Sequence, residues 1–447
     1  MIVMKFGGTS VEDAAAMDRS CRIVAQQISR RPFVVVSALA GTTNGLLEAG
    51  RLAADRQLDK ALALAGDLER RHVELLPSTA QDFSELRELL RALSAIGELS
   101  ARTRDLIASY GEAMSSLIFT DRLKRHGHDA VHVDARRAIV SDASFGSASP
   151  IFDATTANLE QLARPHINAG RIVVMGGYIA STAAGVTTTL GRGASDYSAS
   201  IVGAAMGAEE IQIWTDVDGM LTADPRMVGN AYKIKEISFN EASELAYFGA
   251  KVLHPMSVVP AIDKNIPVYI LNSRKPDGTG TRITKEAPPT KNLIKSIACK
   301  RGITAVTVSS SRMLMAHGFL GALFAVFDKH RTSVDMVATS EVSVSLTLDN
   351  RSALPAILED LKPLGDVTVN DDLALICIVG NNLKYTAGIA NRAFSSVKDI
   401  NVLMISHGAS NINLSFLVAN ADAPSAVQKI HADLFKEFDP AVFEPPL

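Results

Sequence analysis

The chain has 447 residues, long enough for two to four domains that each bury a core. Its 45 basic and 48 acidic residues leave a net charge of −3, which gives no electrostatic basis for nucleic acid or a membrane surface as partner. Without an apolar run near ~20 residues, a basic leader or CxxC spacing among Cys21, Cys299 and Cys377, a cytoplasmic protein is expected, with no membrane span, signal peptide, disulfide framework or zinc site.

The chain opens on Ile2-Val3-Met4-Lys5-Phe6-Gly7-Gly8-Thr9-Ser10-Val11. The apolar run reads as a buried strand that delivers Lys5 and two glycines to a turn, and residues 13–28 follow as an amphipathic helix. Glycines at a strand-to-helix junction let backbone N–H groups approach an anion, and Lys5 on the rigid strand is aimed at the same place. The spacing matches neither GxGxxG nor GxxxxGK[ST]. Phe33 to Val36 is a second strand, followed by the small and hydroxyl residues Ser37-Ala38-Leu39-Ala40-Gly41-Thr42-Thr43. Such a loop at a strand's carboxyl end suits a polar ligand.

Residues 46–126 read as mostly helical, with apolar positions three and four apart, and carry Glu112 beside Gly111. Short strands are expected at 130–133 and 139–140, and a helix over 153–169 with Asp153 suited to its N-cap. Residues 171–175 form an almost uncharged strand ending in Gly176-Gly177-Tyr178. Strands separated by helices predict an α/β domain: a mainly parallel sheet with helices on both faces.

Thr187 to Asp196 is the densest polar loop, and it runs into an apolar helix over 197–206. Gly191-Arg192-Gly193 ahead of Ser195-Asp196 offers N–H groups, a guanidinium fork and a helix start, which together suit an anion. Asp196 either caps that helix or pairs with Lys5 and orients it. A strand over 210–214 leads to Thr215-Asp216-Val217-Asp218-Gly219, whose aspartates read as turn formers or metal ligands. Asp224-Pro225-Arg226 follows, then Lys251 in the apolar run Phe248 to Pro255, and a last strand at 267–271.

Pro288-Pro289 reads as a linker, and an internal repeat follows it. Residues 333–337 can be laid over 401–405 and, with the same offset, 344–348 over 412–416. Each copy reads as a ferredoxin-like βαββαβ unit. The second lacks a sixth strand, which residues 293–300 could supply, making the first unit an insertion in the second. Few catalytic residue types fall here, which suggests sensing.

Four motifs, Lys5 to Val11, Thr187 to Asp196, Trp214 to Arg226 and Phe248 to Pro255, resemble those of the aspartokinases in order and over the whole chain. The ending, with Thr339-Ser340-Glu341-Val342-Ser343-Val344, is similar to the lysine-sensitive, monofunctional branch. The resemblance implies an amino-acid-kinase fold over 1–285 and a regulatory region over 286–447. That region would hold two ACT units, about 302–372 and 373–447, the latter completed by 293–301. It implies Mg²⁺ with ATP, lysine biosynthesis, a homodimer or tetramer through the ACT units, and no appended homoserine dehydrogenase domain.

By the same resemblance Lys5 acts on the transferring phosphoryl group and Asp196 fixes its position. ATP falls to Lys5, Gly7, Gly8, Thr215, Asp216, Leu221, Arg226, Lys251 and Val252. Arg192 forks onto the α-carboxylate of aspartate, Glu112 accepts from its ammonium, and Ser37, Thr43, Tyr178 and Ser195 shape the pocket. A lysine effector would meet Met313, Ala316, Gly318, Phe319, Leu320, Ser333, Val334, Asp335 and Ser340. Leu221 stands where many relatives carry a tyrosine, changing the packing near the adenine. Ala316 stands where lysine-sensitive relatives tend to carry a hydroxyl, and one hydrogen bond is worth about 0.5–1.5 kcal/mol. Two other readings fit the residues: a kinase of another small amino acid such as glutamate, and an amino-acid-sensing protein without chemistry.

Overall fold

The structure is a computed structural model and describes residues 1–191, 193–249, 253–287, 293–313, 317–437 and 439–445. It contains two compact units. The first comprises Met1–Met220, Lys235–Phe239 and Val252–Ala287; the second comprises Leu221–Ile234, Asn240–Lys251 and Pro288–Leu447.

In the first unit the chain runs through β1 (Ile2–Phe6), α1 (Ala14–Ala25) and β2 (Pro32–Val36), then the helices α2 (Thr42–Ala54), α3 (Leu58–Leu75), α4 (Ala80–Ile96) and α5 (Ala101–Arg125). There follow β3 (Ala130–Val133), β4 (Val140–Ser141), β5 (Ile172–Gly176), β6 (Ile179–Thr182), β7 (Thr187–Thr189), the helix Ala194–Met206 and β8 (Ile211–Thr215). The main sheet has the order β3, β5, β2, β1, β8, Val268–Asn272, Thr281–Thr284, Glu236–Ser238. It is parallel as far as Val268–Asn272, and Thr281–Thr284 pairs antiparallel to that strand. All five residues of β1 and all five of β2 are buried, which is why these strands read as unbroken apolar runs rather than alternating ones.

Ile2, Met4 and Phe6 pack with Met17, Cys21 and Val24 of α1 and with Ile118, Phe119 and Leu123 of α5. Strand alternation turns Val3 and Lys5 to the opposite face. The register sets Lys5 across from Val35 and Ile213, so β1, β2 and β8 end level and their following loops emerge at one edge. Helices α2 to α5 bury a core of their own that includes Leu46, Leu68, Phe83, Leu90 and Ile107.

Several local expectations shift. A single 3-10 turn, Gly8–Ser10, separates the glycines from α1, which starts at Ala14 with the Asp13 carboxylate accepting the Ala16 N–H at 2.8 Å. Gly7 and Gly8 therefore open that short turn and not α1. The helix expected over 153–169 is two, Phe152–Leu162 and Arg164–Asn168, because Pro165 can only sit in a first turn. Asp153 lies inside the first turn and Ile151 occupies the N-cap.

The second unit is built on a six-stranded sheet in the order Val337–Thr339, Ser343–Leu348, Ile294–Ser309, Asp366–Gly380, Asn413–Ala419, Met404–His407. Ile294–Ser309 and Asp366–Gly380 span 16 and 15 residues and run through both halves. The later part of Ile294–Ser309 pairs with Ser343–Leu348, and its earlier part pairs with Asp366–Gly380 alongside Asn413–Ala419. One strand thus serves both βαββαβ copies. The unit also takes in 221–234 and 240–251, which a contiguous division at 285 does not anticipate. The Ile297 N–H donates to the Thr222 carbonyl at 2.8 Å, and the Ser296 hydroxyl to that of Leu221 at 2.7 Å.

His431 secures this segment. Thr222 Oγ1 accepts the Tyr232 N–H at 2.8 Å and is hydrogen-bonded to His431 Nε2, also 2.8 Å away. The ring stacks on Phe435 with centroids 4.6 Å apart, and burial holds its pKa down to about 4. The folded value lies below the unfolded one, about 6.5. The contribution is therefore complete above pH 6.5 and is lost as pH falls toward 4. Urea unfolding between pH 7 and 4 is expected to lose stability more steeply in the wild type than in His431→Leu.

Cys21 and Cys377 are buried, Cys299 is partly buried, and all three are free. Burial raises the pKa of each, so none is a ready nucleophile. Among the described residues no helix is long and apolar enough to cross a membrane.

Candidate active site

At the carboxyl edge of the main sheet lies a cavity of about 260 Å³, lined from four directions. β1 supplies Lys5, and the segment after β2 supplies Ser37 and Thr43. Helix α5 supplies Glu112, and the segments around β6 and β7 supply Tyr178, Gly191 and Gly193, with Ser195 and Asp196 following.

Lys5 is 8% exposed, its stem held in the sheet, and its Nζ stands 2.7 Å from Asp196 Oδ1. Asp196 sits in the first turn of Ala194–Met206, where the helix's partial positive charge also favours a carboxylate. Two glycines bring that turn in. Gly193 has φ +67, its carbonyl accepts the Ser257 hydroxyl at 3.0 Å, and a Cβ there would lie 2.5 Å from that of His254. A Cβ on Gly177 would lie 2.7 Å from that of Ser195.

Glu112 is 4% exposed, and its Oε2 has no hydrogen-bond partner among the described residues. Burial pushes its pKa up to about 8, against the opposing pull of the Ala38 N–H, its own N–H and the charge of Lys5. A desolvated carboxyl facing a cavity with an open acceptor suits a cationic ligand group. Tyr178 takes a left-handed backbone, φ +64. Its N–H donates to Ser198 Oγ at 3.0 Å and its carbonyl accepts the Leu190 N–H at 2.9 Å, which hold this conformation.

The structure thus gathers Lys5, Ser37, Thr43, Glu112, Tyr178, Ser195 and Asp196 around one cavity. Arg192 lies outside the described residues. Of the nucleotide set, Gly7 and Gly8 come just past Phe6 at the end of β1, and Thr215 ends the neighbouring strand β8 with Asp216 next in the chain. The Gly7 N–H, expected as an anion donor, is already bonded to the Trp214 carbonyl at 3.0 Å. Leu221 and Arg226 belong to the second unit, where the exposed Arg226 guanidinium forks onto Asp224. Lys251 and Val252 lie outside the described residues. Asp218 is engaged by Asn272 and Lys275, and no cluster of three metal-ligating side chains occurs among the described residues. Sequence reasoning missed the Ala38 N–H, Ser198 and Ser257. A backbone N–H has no residue signature, and the two serines act on main chain far away in sequence.

In the second unit, Met313, Phe319 and Val334 pack against the apolar core, Gly318 (φ +84) precedes the helix Phe319–Lys329, and Leu320 is exposed. The Ser340 hydroxyl pairs with that of Ser343 at 2.7 Å, and Ala316 lies outside the described residues. The Asp335 side chain is 3% exposed and already holds an ammonium of this chain. Lys300 Nζ lies 3.2 and 3.3 Å from its two oxygens, and the Tyr247 phenol donates to Oδ1 at 2.8 Å. Ser333 lies near that phenol and opposes the upward shift of its pKa, and Lys300 also reaches Asp349 at 2.7 Å.

Residues 1–272 match the model of the amino acid kinase family and residues 376–434 that of the ACT domain. Lysine-sensitive aspartokinase 3 of Escherichia coli is 39% identical, across 98% of this chain and 99% of that protein. Aspartokinase 1, chloroplastic, of Arabidopsis thaliana is 38% identical, across 98% of this chain and 80% of that protein. Among solved structures, E. coli aspartokinase III in complex with aspartate and ADP (R-state) superposes with a TM-score of 0.82 at 37% identity, covering 97% of this chain and 100% of that one. The same enzyme in complex with lysine and aspartate (T-state) gives 0.81 at 38% identity, with 97% and 99% covered. With relatives this similar along the full chain, the protein belongs to the aspartokinase family.

Proposed function

We propose that the protein transfers the terminal phosphoryl group of Mg·ATP to the side-chain carboxylate of L-aspartate, giving ADP and 4-phospho-L-aspartate. The observation that carries this reading is the convergence of the Lys5–Asp196 pair and the open Oε2 of Glu112 on one cavity. An acceptor carboxylate has a reference pKa of about 3.9 and is ionised at neutral pH, so no general base is needed. The obstacle is repulsion between two anions, which calls for fixed positive charge at the point of transfer. Lys5 supplies that charge, held in line by Asp196. Glu112 takes the α-ammonium, and the guanidinium of Arg192, next in sequence to Gly191, suits the α-carboxylate. The divalent ion is proposed to enter with the nucleotide's phosphates, which Mg²⁺ prefers to an all-protein cage. Three unbridged thiols fit a reducing compartment, the cytoplasm.

A coupled ADP assay with a panel of acceptors tests the reading. Turnover is expected with aspartate and not with glutamate, whose extra methylene moves the carboxylate away from Lys5. ADP formation indifferent to aspartate would reject it.

Lysine is the proposed feedback effector, acting where Asp335 sits, and two copies are proposed to associate through the second unit. Val337–Thr339 is an edge strand there, and Leu320 and Phe324 stand exposed. Sedimentation velocity checks the association. An arriving effector ammonium has to exchange with that of Lys300. Inhibition requires that lysine bind one state better than the other. Asp335→Asn is expected to raise the lysine concentration for half-inhibition at least about tenfold, 1.4 kcal/mol of binding, with uninhibited turnover unchanged. An unshifted inhibition curve would remove Asp335 from the effector site.

A further inference from the structure

Two buried carboxylates project from one face of α5. Glu112 enters the cavity; Asp105, two turns earlier and 1% exposed, does not. The Asp105 Oδ2 accepts the N–H of Gly146 and the N–H of Thr189, each at 2.9 Å, and its Oδ1 accepts the Thr189 hydroxyl at 2.9 Å. All three donors flank the turn that lines the cavity. Thr189 ends β7 and is followed by Leu190 and Gly191. Its carbonyl accepts the Ala148 N–H at 2.9 Å, which fastens the 142–149 loop, and that loop lies against Gly191, with Gly146 O and Ser147 Cα each 3.5 Å from where a Cβ would stand.

Tyr178, on the same wall, lies near Thr189, and burial raises the pKa of its phenol. A hydroxyl has a single proton, and an ionised carboxylate can only accept. The Thr189 hydroxyl proton is therefore committed to Asp105. A buried charge is expensive unless every lone pair has work. Here all the donors serve the walls of one cavity.

We propose that Asp105 is a positioning residue for the amino-acid acceptor: through Thr189 and Gly146 it fixes the strand end and the loop that set the cavity wall at Gly191. It touches neither substrate. The inference rests on this cavity being the acceptor site, and it predicts an effect confined to the acceptor.

Asp105→Asn keeps size and can still accept both N–H groups on its amide oxygen, but its NH2 then donates to Thr189 Oγ1 and turns the hydroxyl around. Thr189→Val removes the hydroxyl while leaving both N–H bonds to Asp105. Each variant is expected to raise the KM for aspartate about 10-fold or more while leaving the KM for ATP within twofold. Thr189→Ser, which keeps the hydroxyl, is expected to recover most of the loss, and the double variant to lose little more than either single one. A purely structural role would instead lower the melting temperature and move both KM values together. That pattern, or unchanged constants in an active wild-type background, overturns the proposal. Wild-type protein that turns over no acceptor at all rejects the kinase reading itself, and this inference falls with it.

Discussion

Replacing Lys5 with methionine is expected to lower kcat for aspartate-dependent ADP formation by about 10²–10³, the usual cost of removing one preorganised group that meets charge developing in the transition state. Two unit charges ~4 Å apart repel by about 4 kcal/mol at an effective dielectric of 20. That is about three decades of rate at 1.36 kcal/mol per decade. Lys5 is the side chain placed to cancel this repulsion: it is 8% exposed, anchored on a strand buried along its whole length, and 2.7 Å from Asp196. Removing the ammonium also strands the Asp196 carboxylate, whose side chain is only 12% exposed, so folding has to be checked separately. Lys5→Met with Asp196→Asn relieves the orphaned charge. It is expected to restore the unfolding midpoint without restoring turnover. A single Lys5 variant within threefold of wild-type kcat, measured at saturating aspartate and Mg·ATP, would take the phosphoryl group away from this residue.

The second large effect belongs to Glu112 and is read against pH. Its carboxyl is pushed up to about 8 by burial, so below that pH the free enzyme carries a proton that must leave before an ammonium can be bound. The competent form is the ionised one. For aspartate, kcat/KM is therefore expected to climb with pH between 6 and 8, by at most tenfold per unit for a single proton, and then to level off. Glu112→Gln keeps the shape and removes both the charge and the titration. It should raise the KM for aspartate by about 10²-fold, in the range of losing a buried charge-assisted pair, and flatten the rise. A wild-type profile flat from pH 6 to 8 would separate the carboxyl's titration from acceptor binding, and a normal KM in the glutamine variant would remove Glu112 from the pocket's chemistry.

Much of the first unit was legible because its signals are local. A strand buried on both faces has to be apolar throughout, so Ile2–Phe6, Pro32–Val36 and Ile172–Gly176 stand out without a partner in view. The motif containing Asp196 placed that residue in a first helical turn, where it is found. The repeat was equally plain, since each βαββαβ copy carries its own periodicities. Less legible was anything that depends on a neighbour distant in sequence. Gly7 and Gly8 looked like free anion donors, yet the Gly7 N–H belongs to Trp214. Asp335 looked like an open acceptor, yet Lys300, 35 residues away, already supplies its ammonium. Asp105 gave no signal beyond an acid on a helix, because its donors are 41 and 84 residues away.

Residue order alone determined the alternation of strand and helix, the glycine-bearing turns and the kinds of charge available to handle a phosphate and an amino acid. Those follow from backbone sterics and short-range periodicity, which each segment carries by itself. Only the tertiary structure decided that Lys5 meets Asp196, that Glu112 is sealed from water with one oxygen open, and that 221–234 packs with the second unit. Pairing and desolvation are properties of what surrounds a group, and those surroundings are assembled from chain that is remote until it folds.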